Sequence, residues 1–257
     1  MGITLNFIES ESSKIYYRVS GKENSPAIIF VHGLAADSRF FHNQLKYFGN
    51  FFRVIAIDLP GHGRSRKTGM LSLSLYSRSI EQVAKKENIE RYILAGHSMG
   101  GSVCLEHYKN NHHKIQALIL ISTAPRIPVT KEMVERSVTD FRNFFDEMLS
   151  AIFFKKAGIF ILAAKKSIDD EEESIITEDL RICMNIDHTD ILEKIDIPVL
   201  LLANRWDNMI SAELTADMRN SIPGAKLVVF EKRGHIPFFE ESESFNSTLE
   251  GFLTSIQ

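Results

Sequence analysis

Residues 92–109 read YILAGHSMGGSVCLEHYK. A short apolar run from Tyr92 to Ala95 leads straight into Gly96-His97-Ser98-Met99-Gly100, and a helical pattern follows from Val103 to Lys109. A strand that turns at once into a helix forces the serine at the turn into a crowded backbone conformation. The positions two before and two after it then have no room for a side chain. Gly96 and Gly100 meet that requirement. The turn lifts the Ser98 hydroxyl clear of the sheet, and the start of the helix aims the Met99 N–H and the positive end of the helix dipole at any anion forming there.

Working outward, apolar runs of similar length occur at 27–31, 54–57, 117–121, 199–202 and 227–230, with helical patterns between several of them. Strands that are apolar on both faces and alternate with helices predict an open α/β fold, its mostly parallel central sheet flanked by helices and joined by right-handed crossovers. Residues 3–8 and 15–19 alternate instead, and the polar stretch 9–14 joins them, which predicts an antiparallel pair at the edge. Reactive groups in such folds gather at the carboxyl ends of the strands. His32-Gly33-Leu34, the stretch from Asp58 to Ser65, Asp207 and Gly234-His235 all follow strand-like runs.

A serine hydroxyl is a poor nucleophile at neutral pH and needs an adjacent base, whose tautomer a carboxylate must set. His235, in Arg233-Gly234-His235-Ile236-Pro237, is the candidate base, and Asp207, in Asn204-Arg205-Trp206-Asp207-Asn208, is the candidate acid. The loop after 117–121 holds no carboxylate to compete with Asp207. The candidate catalytic residues are therefore Ser98, Asp207 and His235, in the chain order that accompanies G-x-S-x-G. The candidate oxyanion donors are the backbone N–H groups of Leu34 and Met99. His32 reads as a structural histidine, His112 and His113 as solvated, and His188 as a surface or capping residue. No cofactor is expected, and no metal either, since spacings such as H-E-x-x-H are missing.

From 125 to 190 the strand–helix alternation stops. Met133, Val134, Val138, Phe141, Phe145, Met148 and Leu149 fall on one helical face, and 152–162 is apolar almost all round. This predicts a helical lid, or cap, over 125–190, inserted after the sixth strand into a core domain made of 1–124 and 191–257. The acidic run 169–173 reads as a solvated helix start or loop. Phe141, Phe144, Phe145, Phe153, Phe154 and Phe160 suggest an apolar pocket, although most of them are expected to serve the core of the lid itself. Arg126 and Arg205 are candidates for binding an acidic substrate.

At 257 residues and 44% hydrophobic, the chain can bury a large core. A net charge of −3 with no long basic block gives no attraction to nucleic acid or to anionic lipid. Cys104 and Cys183 lack a C-x-x-C spacing, which suits two buried thiols in a reducing compartment. The N-terminal residues carry no basic start followed by an apolar run, and no apolar stretch approaches the roughly 20 residues that span a bilayer. A soluble, cytoplasmic protein with no membrane partner is expected.

VHGLAADSRFF (31–41), AIDLPGHGRS (56–65), LAGHSMGGSV (94–103) and LLANRWDNMI (201–210), followed by RGHIPFFEES (233–242), occur in that order. With them the chain resembles the α/β-hydrolase superfamily, in its lidded esterase-like branch, over essentially its whole length. The resemblance implies an α/β-hydrolase fold and the same roles for Leu34, Ser98, Met99, Asp207 and His235. It also implies structural roles for Asp58, His62 and Arg64. Serine at position 98 weighs against the haloalkane dehalogenases and epoxide hydrolases, which that family builds around a carboxylate nucleophile. The expected activity is a serine esterase acting on a small ester-like molecule and water. Carbon–carbon bond hydrolysis, cofactor-free perhydrolysis and a ligand-sensing module that keeps the triad stand as alternatives.

Overall fold

The computed structural model describes residues 2–10, 13–66, 69–153 and 169–256. Among these, one sheet contains β1 (Thr4–Ser10), β2 (Ser13–Ser20), β3 (Ala27–Val31), β4 (Arg53–Ile57), β5 (Tyr92–His97), β6 (Ile115–Ile121), β7 (Val199–Asn204) and β8 (Lys226–Phe230). The strand order is β1-β2-β4-β3-β5-β6-β7-β8. β1 pairs antiparallel with β2 and β2 with β4, while every pairing from β4 onward is parallel. The α-helices among the described residues are α1 (His42–Phe48), α2 (Leu73–Lys86), α3 (Met99–Asn111), α4 (Lys131–Thr139), α5 (Phe141–Ile152), α6 (Asp170–Met184), α7 (Ala212–Ser221), α8 (Pro237–Glu240) and α9 (Ser242–Ser255). None of them is long and apolar enough to cross a membrane.

The period of two along each strand divides the core into two layers. Ile29 and Val31 of β3, Leu94 of β5 and Leu201 of β7 pack with Tyr76 and Val83 of α2 and Val103 of α3. Ile28, Phe30, Ile93 and Leu202 face the other way, onto Leu45 and Phe48 of α1 and Phe245 and Leu249 of α9. Each such aliphatic side chain stabilises the fold by about 1.5–3 kcal/mol on burial, which is why both faces of these runs had to be apolar.

Between β6 and β7, α4, α5 and α6 build a third apolar cluster from Val134, Phe141, Phe144, Phe145, Met148, Leu149, Ile176 and Leu180. Leu34, Ala35 and Met209, from the loops after β3 and β7, pack against it. Val138 departs from expectation and is 60% exposed. The stretch 133–149 is two helices, and the break at Asp140 (φ −148°, ψ 50°) resets the helical phase that a continuous reading had carried through. Most of the apolar stretch 152–162, with Phe154 and Phe160, lies outside the described residues. The acidic run begins α6: Asp169 and Glu172 form a reciprocal capping box, so these carboxylates satisfy N–H groups at the positive end of the helix.

One buried polar cluster fastens α6 to the sheet domain. Asp179 accepts a 2.5 Å hydrogen bond from Tyr76 Oη, and its other oxygen lies 2.8 Å from His62 Nε2. Burial lowers the His62 pKa, but the Asp179 carboxylate outweighs it and the net shift is upward. His62 therefore holds its proton more tightly folded than unfolded, where it titrates at about 6.5. Its contribution to stability is complete below that unfolded value and is lost as pH rises through the raised folded one. His62→Gln is expected to cost more stability at pH 6 than at pH 9, read as the urea midpoint difference from the parent. A difference that does not change with pH would refute this linkage.

Candidate active site

Ser98 stands between β5 and α3 at φ 54°, ψ −122°. A non-glycine residue in that region carries roughly 1–3 kcal/mol of strain, which surrounding structure must offset. Here Ser98 N–H donates to Ile121 O (2.9 Å), and the Ser98 carbonyl accepts from Gly101 N–H (2.9 Å) and Thr123 Oγ1 (2.8 Å). A Cβ on Gly96 would sit 2.3 Å from Gly100 O, and one on Gly100 would sit 2.3 Å from Val31 O. Both glycines are needed for close approach, as the sequence indicated.

Asp207 and His235, distant in sequence, meet beyond the ends of β7 and β8, with His235 Nδ1 2.8 Å from Asp207 Oδ2. The other carboxylate oxygen, Oδ1, accepts from Met209 N–H (2.8 Å) and Ile210 N–H (2.9 Å), and the Asp207 side chain is fully buried. A carboxylate held this way accepts a hydrogen bond from Nδ1–H and leaves Nε2 as the basic nitrogen of the ring. The His235 backbone is held on both sides. Its N–H donates to Ile152 O at the end of α5 (2.7 Å), and its carbonyl accepts from His97 Nε2 (2.8 Å).

His97 was missed in the sequence, where it filled only a variable position of the pentapeptide. Its ring lies 4.6 Å from that of His235 and 5.0 Å from that of Phe238. Burial, followed by the neighbouring His235, pushes its pKa well below the ordinary histidine value, so the ring is neutral and Nε2–H donates. One signal did exist, because Ile93, Ala95 and His97 share a face by the period of two. His97→Phe should retain the apolar contacts and lose the bond to His235, lowering kcat by about 10–100-fold with little change in KM. Steady-state kinetics beside a melting curve checks this, and an unchanged kcat would make His97 a packing residue only.

Met99 is the first residue of α3, so its N–H has no acceptor within the helix. The Gly33–Leu34 peptide lies beside Ser98: a Cβ on Gly33 would stand 3.0 Å from Ser98 Cβ. Asp58 accepts from Ser38 N–H (2.8 Å) and Arg64 N–H (3.0 Å), bracing the turn beneath.

A family model described as "Alpha/beta hydrolase family" matches residues 28–248, a span that contains each of the residues just described. The chain belongs to that family. The pimeloyl-[acyl-carrier protein] methyl ester esterase of Vibrio atlanticus (strain LGP32) is 22% identical over 268 residues, covering 94% of this chain and 98% of the relative. The protein of the same name from Nitrosomonas europaea is 25% identical over 244 residues, covering 88% and 95%. Among solved structures, a thermophilic esterase superposes with a TM-score of 0.87 at 25% identity, covering 99% of each chain. The enol-lactonase from Burkholderia xenovorans LB400 reaches 0.88 at 20% identity, covering 97% of this chain and 100% of that one. This α/β-hydrolase is esterase-like.

Other candidates in this α/β-hydrolase fall outside the Ser98 region or are engaged elsewhere. His188 is not on the surface as expected; it is 3% exposed and makes no side-chain cap. The turn after α6 folds back, with His188 N–H bonded to Pro125 O, and His188 helps line a cleft of about 630 Å³ between α2, α3 and α6. Ser98, Asp207 and His235 do not line that cleft. Arg126 donates to Asp187 (2.7 Å), and Arg205 lies within 3.8 Å of Glu213 and 3.6 Å of Glu231. His112 and His113 are exposed, and Cys104 and Cys183 are buried free thiols. Among the described residues no group of three His, Cys, Asp or Glu side chains is placed to hold a metal.

Proposed function

We propose that this enzyme hydrolyses carboxylic esters, or related lactones or thioesters, of small to medium apolar substrates through an acyl-enzyme on Ser98. Ser98 Oγ attacks the carbonyl while His235 Nε2 takes its proton, and Asp207 holds the ring and stabilises the imidazolium that forms. The Met99 and Leu34 N–H groups receive the oxyanion, each contributing about 10²–10³ in rate. His235 then protonates the departing alcohol, and water repeats the sequence on the acyl group.

The observation that carries this reading is a serine held at φ 54° on the same end of the sheet where His235 Nδ1 lies 2.8 Å from Asp207 Oδ2. Residues 125–190 act as the lid. Support comes from the packing of their apolar cluster against Leu34 and Met209, two residues of the loops after β3 and β7. The methyl ester in the curated relatives' names belongs to the same class of chemistry.

Steady-state hydrolysis of p-nitrophenyl esters, from acetate to longer chains, by the parent and by Ser98→Ala tests the proposal. Turnover by the parent alone supports a serine esterase and measures its acyl pocket. Absence of turnover in both would favour carbon–carbon hydrolysis or ligand sensing.

A further inference from the structure

We infer that His32 is a positioning residue for the reaction: its Nδ1–H holds the Gly33 carbonyl and thereby aims the Leu34 N–H at the oxyanion formed on Ser98. The inference rests on the roles proposed above for Ser98 and Leu34.

His32 is 1% exposed, and both its ring nitrogens are engaged. Leu59 N–H points at Nε2 from 3.0 Å. A backbone N–H can only donate, so Nε2 is the bare, accepting nitrogen. A neutral imidazole then carries its one proton on Nδ1, which lies 2.8 Å from Gly33 O. Burial, and after it the charge on His62, whose ring centroid is 5.0 Å away, lowers the His32 pKa to about 4. The neutral ring is therefore the resident form at neutral pH, and the loop after β4 dictates its tautomer.

Gly33 C=O and Leu34 N–H belong to one planar trans peptide, so they point in opposite directions. Holding the carbonyl on the His32 side turns the N–H to the other. That orientation needs holding. Gly33 has no side chain to restrict the peptide, and two residues on, Ala35 adopts φ 55°, a strained value for alanine. The same peptide lies against the nucleophile, since a Cβ on Gly33 would come within 3.0 Å of Ser98 Cβ.

Two substitutions separate the two nitrogens. Asparagine places an N–H donor near the Nδ1 position and gives up the acceptor for Leu59. Glutamine keeps an acceptor near the Nε2 position and gives up the donor to Gly33. For the fastest p-nitrophenyl ester of the series, His32→Gln is expected to lose about 10–100-fold in kcat, a part of what a missing oxyanion donor costs, with KM within about threefold of the parent. Inhibition by an alkyl trifluoromethyl ketone, whose hemiketal oxygen mimics the oxyanion, should weaken by the same factor. His32→Asn should keep kcat within about threefold, although its melting temperature falls, because a buried Leu59 N–H is left unpaired.

A merely structural histidine predicts the reverse, with activity following stability. Full kcat in folded His32→Gln, or equal loss in both variants, overturns the inference and leaves the esterase reading standing. Absence of Ser98-dependent turnover in the parent removes both. Should neither variant fold, the ¹⁵N spectrum of the parent decides through the tautomer: a proton on Nδ1 sustains the inference, and a proton on Nε2 overturns it.

Discussion

Ser98→Ala is expected to lower kcat for a short p-nitrophenyl ester by about 10⁵-fold or more, because nucleophile, base and acid act as a unit and the remainder supplies only binding and oxyanion stabilisation. The loss should be chemical. The bonds that hold position 98 run through its backbone N–H and carbonyl, to Ile121, Gly101 and Thr123, and removing Oγ leaves them all in place. The variant should therefore melt within about a few degrees of the parent, because substitutions that remove no such feature have small effects. Steady-state kinetics beside circular dichroism makes the comparison. Residual turnover above about 1% of the parent, far beyond what such a unit leaves behind, would place the nucleophile elsewhere.

The second large effect is expected at Asp207, where two variants divide charge from architecture. In Asp207→Asn the retained oxygen still accepts from Met209 and Ile210, so the loop survives. The new amide N–H now faces His235 Nδ1, the ring proton moves to Nε2, and the side that should accept the Ser98 proton is already occupied. A loss of about 10⁴-fold in kcat at nearly unchanged stability is the expected result. Asp207→Ala adds a structural penalty, because two backbone N–H groups lose their acceptor at about 1–3 kcal/mol each. Parental kcat in Asp207→Asn would remove Asp207 from the mechanism. A urea midpoint equal in both variants would remove its role in the loop.

Much of the fold was legible because the relevant signals are local. An apolar run long enough for one strand, flanked by glycine or a turn, marks a buried strand wherever it sits. The glycines around Ser98 reveal a tight elbow because backbone crowding there is set by residues two positions away. Legibility failed where the local signal was complete but its partner was distant. Val138 shared a helical face with Phe141 and Phe145 only in a continuous helix, and the turn at Asp140 interrupts it. His188 looked like a polar surface residue until the return of the chain to Pro125 buried it. For His97 the period of two gave the face but not the partner, because the atom it holds belongs to His235, which is 138 positions away.

By itself, the sequence determined the class of fold, the strand-to-helix turn at Ser98 and the residue types able to attack, relay a proton and carry charge, since each depends on chemistry within a few residues of chain. Only the tertiary structure decided the insertion of β4 between β2 and β3, the clasp of Asp179 on His62 and Tyr76, and the backbone bonds from Ile152 and His97 that hold His235. It also decided which nitrogen of His32 keeps its proton, through Leu59 N–H. The physical reason is common to all of these. A hydrogen bond depends on where two groups come to rest, and for groups far apart in sequence that is settled by how apolar layers pack rather than by any local pattern.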